Sequence, residues 1–335
     1  MQAGLINSNG TISPVSGSPF DEGLGQTSII QVTADPQGRF VYVLNVGASA
    51  VGQIIGQPGI CAFAIDRTTG ALRRAPGSPI AFPVRNDNNL AIDGSGHFLF
   101  EPNLANSGFD VYAIDQSSGA LTKTSSSSNA PPVGSLSSTS SDGRFLFNAG
   151  NGMVEVFSIN PQSGALSAIG TPLSTAGSGG PIAVSQDGKF LYAANKNDGT
   201  LMVFAVSPEG TLSAATGAPF TIDVGAQFLT LTPDGRFLYI ASFNPAAAVS
   251  ATVKGYLVNP TSGAFTPISG AVVSNASSVT VDLSGQRAYI STTSPQAFGL
   301  TLFIYNIDQA SGALTQVAQA SNPTSDDPFD MVSTP

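Results

Sequence analysis

What this chain of 335 residues has little of narrows its chemistry before any motif is read: one cysteine, one histidine, four lysines and no tryptophan. A single cysteine, Cys61, rules out a disulfide framework and a thiolate zinc cluster. It falls in the apolar run Ile60-Cys61-Ala62-Phe63-Ala64-Ile65, where a thiol reads as a small buried hydrophobe. The one histidine, His97, occupies a tight turn at the slot where other repeats carry Arg39, Arg144, Lys189 and Arg236, and so reads as a solvated turn residue. That removes the Ser-His-Asp triad, the histidine metal cluster and the imidazole general base. With four lysines and a formal net charge of −9, the chain lacks the clustered cations that neutralise nucleic-acid phosphates. Arg73 and Arg74 are adjacent but lie in a strand-like stretch, as a solvated edge would. No window approaches the roughly 18 apolar residues of a membrane helix, and the opening MQAGLINSNG has neither part of a signal peptide.

Hydrophobic residues make up 41% of the chain and charged residues only 10%. Such a composition buries a large core and surrounds it with neutral turns, so disorder is not expected. The decisive feature is self-similarity. One tight turn recurs as DPQGRF (35–40), DGSGHF (93–98), SSDGRF (140–145), SQDGKF (185–190), TPDGRF (232–237) and DLSGQR (282–287). A second recurs with its glycine at Gly10, Gly70, Gly119, Gly164, Gly210, Gly263 and Gly312, at intervals of 60, 49, 45, 46, 53 and 49 residues. In the fifth repeat, PIAVS (181–185), FLYAAN (190–195), LMVFAV (201–206) and GTLSAA (210–215) read as four strands, the turn glycines supplying the positive φ of antiparallel reversals. No segment sustains a 3.6-residue apolar period, so helix is not expected.

A four-stranded sheet with two apolar faces must stack against neighbours around an axis. The expected fold is therefore all-β: a seven-bladed β-propeller of four-stranded antiparallel blades, one domain over residues 1–335. Phe40, Phe98, Phe145, Phe190 and Phe237, each after a turn, are expected between blades. The N-terminus enters partway through a third strand, since Ile6 to Ile12 aligns with Val206 to Leu212. DPFDMVSTP (327–335) matches an innermost strand, which implies a closing blade shared by N- and C-termini, either three-stranded or with a preceding strand and leader removed.

Both turn families fall on one face of such a disc. The longer, variable connections fall on the other, which is where function is carried on a rigid scaffold. Insertions in the second repeat (45–59) and the sixth (242–254) could wall a pocket there. Glu101 follows the apolar Phe98-Leu99-Phe100 and is expected at the inner rim, with Arg85 and Asp87 entering the same blade's innermost strand. These three are the catalytic candidates, with an ordinary rim ion pair as the alternative. Lys196, Asp223, Gln227, Lys254 and Asp330 are candidate ligand contacts. No D-x-D-x-D-G calcium loop occurs, and the glycines between Gly47 and Gly59 lack the lysine and helix of a phosphate loop. No metal site and no cofactor are expected.

The blade text PDGRFLYIASF (233–243) and QDGKFLYAANKNDGTLMVFAVSPEGTLSA (186–214) resembles the lactonase-type seven-bladed propellers, which include 6-phosphogluconolactonases of the cycloisomerase-like kind and carboxymuconate-lactonizing enzymes. Tyr42-Val43-Leu44-Asn45 is similar to the repeat of the surface-layer YVTN propellers. The resemblance implies an Arg-His pair entering one innermost strand, a glutamate after that blade's second strand, and a histidine-bearing approach to another inner strand. The matching positions here are Gln227-Phe228, Phe243 and Pro131 to Gly134, so the expected cationic and basic groups are missing. The resulting expectation is a non-catalytic or degenerate member, monomeric and extracytoplasmic (periplasmic or secreted), binding a small molecule or a protein on its loop-rich face. A lactone hydrolase or lactonizing isomerase using Glu101 and Arg85 is the first alternative. The second is a scaffold whose Asp87, Asp223 and Asp330 hold a cation.

Overall fold

The computed structural model describes residues 3–7, 12–24, 29–46, 48–50, 53–82, 89–103, 108–126, 136–175, 177, 179–244, 251–293 and 300–322. Among them there are strands and turns and no helix, and hence no helix long and apolar enough to cross a membrane. Repeats two to seven each form an antiparallel sheet whose first four strands follow chain order. In repeat three these are Ala91–Ile92, Phe98–Asn103, Gly108–Ile114 and Leu121–Ser126. In repeats two and five a short extra strand, Ile80–Ala81 or Phe220–Thr221, pairs with the third strand beyond the fourth. Of repeat one, the hairpin Gly4–Ile6 with Ile12–Pro14 is described.

The first strands stand side by side in repeat order: Ile29–Ala34, Ala91–Ile92, Leu136–Thr139, Gly179–Val184, Ala226–Leu231 and Ala276–Val281. Their sheets therefore radiate from a common axis, and the fold is an all-β propeller of four-stranded antiparallel blades. Two side-chain amides tie inner strands to the next repeat. Gln31 donates to the Leu90 carbonyl at 3.0 Å and accepts from the Leu90 amide, and Asn89 does the same to Ser137, at 2.8 and 2.6 Å. A carboxamide offers the donor and acceptor of a peptide unit, so it replaces a ladder rung between strands too splayed to pair.

The core lies in the seams between blades. One seam gathers Phe40, Tyr42 and Leu44 of repeat two with Leu99, Tyr112 and Ile114 of repeat three. The post-turn phenylalanines fill these seams as the sequence implies. Phe40 packs beneath Gly119 of the next repeat so closely that a Cβ there would lie 2.5 Å from its ring. The same relation joins Phe98 to Gly164, Phe145 to Gly210, Phe190 to Gly263 and Phe237 to Gly312. Each buried ring contributes about 1.5–3 kcal/mol, so the repeat's second turn is a packing device as well as a reversal.

At the ends of the series, Gly70 meets Leu5 and Val15 of the N-terminal hairpin, and the Arg287 guanidinium donates to the Asn7 carbonyl at 3.3 Å. The hairpin thus contacts both repeat two and repeat seven. The insertion of repeat two carries a small hairpin, Ala48–Ala50 with Gln53–Ile55.

Candidate functional site

The tight turns between first and second strands and between third and fourth strands share one face. There, for example, the Gln116 side chain of one turn donates to the Gly96 carbonyl of the other at 2.9 Å. His97 is exposed on that face, its Nδ1 2.8 Å from Ser95 Oγ. The opposite ends of the strands carry the candidate residues.

Glu101 does not follow its strand, as the sequence reading had it, but lies within it. The second strand of repeat three runs Phe98–Asn103, and Glu101 pairs in register with Asp110 of the third strand. Leu99, two residues earlier on the same strand, points to the seam with repeat two, and Glu101 shares that face. It is therefore buried in the blade, only 3% exposed, rather than placed on the rim.

The sequence reading missed Asp110 and the residues that hold it. Lys123 Nζ stands 2.7 Å from Asp110 Oδ2, Asn103 Nδ2 donates to the same oxygen at 2.9 Å, and Ser126 Oγ donates to Oδ1 at 2.7 Å. Burial would raise the Asp110 carboxyl. The bonds from Lys123, Ser126 and Asn103 outweigh it, so the group sits below its usual range. Glu101 goes the other way. Burial pushes it up to about 8, with the Asp110 charge adding to the rise and Lys123 opposing it. At neutral pH the pair is one carboxylate beside one carboxylic acid, which divides acid and base roles between two adjacent groups.

Lys254 and Asp223, named separately from the sequence, are brought together. Lys254 Nζ bonds Asp223 Oδ1 at 2.7 Å, and Thr252 Oγ1 donates to Asp223 Oδ2 at 3.1 Å. Both ionic side chains are about one-third exposed, at 38% and 35%. The linker holding Asp223 is fixed at Gly225 (φ 88°), whose amide donates to the Lys196 carbonyl at 2.7 Å and whose carbonyl accepts from Phe243 at 2.8 Å. Lys196 is itself exposed at the end of repeat five's second strand, and Gln227 is half-buried. Phe228 packs against the core of repeats six and seven, while Phe243 is 42% exposed.

Arg85, Asp87 and Asp330, with Pro131 to Gly134, lie outside the described residues. Among the described residues no three His, Cys, Asp or Glu side chains gather as a metal set would require, and Asp223 is taken by Lys254.

Asp110, Glu155 and Lys254 occupy equivalent places on the third strands of repeats three, four and six, opposite Glu101, Asn148 and Ile240 on the second. Aligned on the second strand, the residue three after the post-turn position (Phe40, Phe98, Phe145, Phe190, Phe237 and Arg287) is Val43, Glu101, Asn148, Ala193, Ile240 and Ile290. Its partners on the third strand are Cys61, Asp110, Glu155, Met202, Lys254 and Phe303. One layer of the disc is thus apolar in three repeats and polar in repeats three, four and six. A charge inside the third strand was the signal available in the sequence.

Sheet order and radial stacking define the class first: a repeat-built propeller of four-stranded antiparallel blades. The family described as lactonase, seven-bladed β-propeller, matches residues 8–138 and 137–281, and the chain belongs to it. No curated protein matches the chain.

Among solved structures it is similar to the periplasmic gluconolactonase of Pseudomonas aeruginosa, at 18% identity and a TM-score of 0.71, over 97% of this chain and 92% of that one. It is similar also to a candidate 6-phosphogluconolactonase from Bacteroides fragilis, at 19% identity and 0.70, over 96% and 89%. A third is Sqt1 of Chaetomium thermophilum bound to the N-terminus of ribosomal protein L10, at 15% identity and 0.57, over 88% and 74%. At these identities the likeness is one of fold, and the fold serves both enzymes and peptide binders.

Proposed function

We propose that this lactonase-family propeller binds a small polar ligand on its loop-rich face without turning it over. One observation carries the reading. The positions where the resemblance puts an Arg-His pair and a glutamate hold Gln227, Phe228 and Phe243, of which Phe228 is spent on the core and Phe243 presents a hydrocarbon ring. Neither can activate water or polarise a lactone carbonyl. Lys196 and the Asp223–Lys254 pair supply polar contacts for a bound ligand.

The test is lactone hydrolysis followed by acid release, with glucono-δ-lactone and 6-phosphogluconolactone as substrates. No rate above buffer is expected, together with a raised melting temperature in the presence of a lactone or its acid. A rate above buffer overturns the reading.

A second reading is favoured by the Glu101–Asp110 pair, since a carboxyl held near 8 by burial beside an ionised one is the arrangement hydrolases use. In that reading Glu101 is the acid of a lactone hydrolase, and Glu101→Gln abolishes the rate.

The chain's architecture in this proposal is one domain of seven blades, the last closed by both chain ends. The contacts of Leu5 and Val15 with Gly70 and of Arg287 with Asn7 support it, because they bring repeat one between repeats two and seven. An extracytoplasmic, monomeric protein fits the lysine-poor surface and the periplasmic location of the Pseudomonas relative. Cell fractionation of the full-length gene product and light scattering test the two points.

A further inference from the structure

The seam between repeats three and four holds a further acid of the polar layer. Glu155, on the third strand of repeat four (Met153–Ile159), sits where the ladder to the fourth strand slips between Val154 and Val156. The slip loops out the outer strand around Gly170 (φ 67°) and opens a cleft of about 320 Å³. Its walls are Phe157, Ala168, Ile169, Gly170 and Pro172, and its one charged group is Glu155. Phe157 is fixed from behind by an edge-on contact with Phe109 at 5.7 Å between ring centroids.

The Glu155 Oε2 atom is buried and accepts no hydrogen bond. The facing Asn148, in register with Glu155 and fully buried, has an Nδ2 that donates none. Burial raises the Glu155 carboxyl.

We propose that this cleft binds a primary alkylammonium group, its N–H donors on Glu155 and its methylenes along Ile169, Pro172 and Phe157. The chemistry selects against the alternatives. An anion would meet the carboxylate, a divalent cation needs more oxygen ligands than one side chain offers, and a neutral chain would leave the one charged group of the cleft without a counter-charge. The volume falls at the small end of ligand pockets and suits a chain of a few carbons.

Titration calorimetry of the intact protein with n-butylammonium tests this, with n-butanol and butyrate as neutral and anionic controls. A ligand of this size is expected to bind with a dissociation constant on the order of 1 mM. Glu155→Gln, which keeps the shape and removes the charge, should weaken it on the order of tenfold. Ala168→Leu, a change at an exposed wall residue, should weaken it while leaving the melting temperature near wild type. An N-acetyl-lysine amide arm separates a free amine from a side chain of a peptide, and saturable binding of either supports the site. No saturable binding of either ammonium, equal binding of butanol, or an unchanged constant in a folded Glu155→Gln protein overturns it.

Discussion

The Tyr239 hydroxyl donates a 2.8 Å hydrogen bond to the carbonyl of Gly312, 73 residues along the chain and one blade away. Tyr42 does the same to Gly119 at 3.1 Å. Both phenols are fully buried, and burial raises their ionisation well above the usual range, so they remain donors at any working pH. Tyr239→Phe should cost about 1 kcal/mol in urea unfolding, the net worth of one such bond with its acceptor left behind. A loss near zero would mean that the carbonyl is satisfied in another way.

Two turn glycines separate backbone strain from crowding. Gly188 (φ 69°) has open space where a Cβ would go, whereas a Cβ at Gly263 (φ 70°) would come within 2.6 Å of Phe190. Gly188→Ala should destabilise by about 1–2 kcal/mol, the left-handed penalty alone. Gly263→Ala should cost more than this, because the Phe190 ring must also shift. Equal losses in chemical unfolding would remove the packing role of the second turn.

The Glu101 carboxyl, pushed up to about 8 by burial, makes stability depend on pH with a defined sign. The folded state holds this proton to a higher pH than the unfolded state does. Its contribution is therefore fully present below the unfolded value near 4.5 and is lost as pH rises towards 8. The slope is at most about 1.4 kcal/mol per pH unit. Glu101→Gln should flatten the fall in melting temperature between pH 5 and about 8. A parallel pair of curves would show that Glu101 ionises freely.

Cys61 is fully buried, donates to the Glu22 carbonyl at 3.1 Å, and is pushed up to about 12 by burial, with the Glu22 charge adding to the rise. Iodoacetamide should leave it unmodified in the native protein and alkylate it completely in denaturant, as read by intact mass. Native labelling at a comparable rate would place the thiol in solvent.

The fold was legible because its information is local and repeated. The turn glycines and the apolar strands recur six or seven times and the aromatic after the first turn five times, so a misreading in one copy is corrected by the others. The site was legible only in part. Asp223 and Lys254 could each be placed on the loop-rich face, but their 31-residue separation crosses an entire hairpin, and nothing local says that they meet. Glu101 was misplaced because the charge was taken as the end of the strand, when Pro102 and Asn103 continue it. Asp110 and Glu155 were overlooked for a related reason. A single acid in a third strand looks like an ordinary alternation to solvent until the blade-to-blade stacking is known.

In repeats three to six the post-turn phenylalanine meets a glycine of the following repeat and the repeat's own glycine receives the phenylalanine before it, so each of these blades carries the same socket and plug at its two sides. Such a unit can be copied, deleted or exchanged with that of a relative and still find fitting neighbours. Lineages of these propellers are then free to shuffle whole blades while each substitutes residues within the polar layer, so that ancestry traced blade by blade need not follow the ancestry of the binding face.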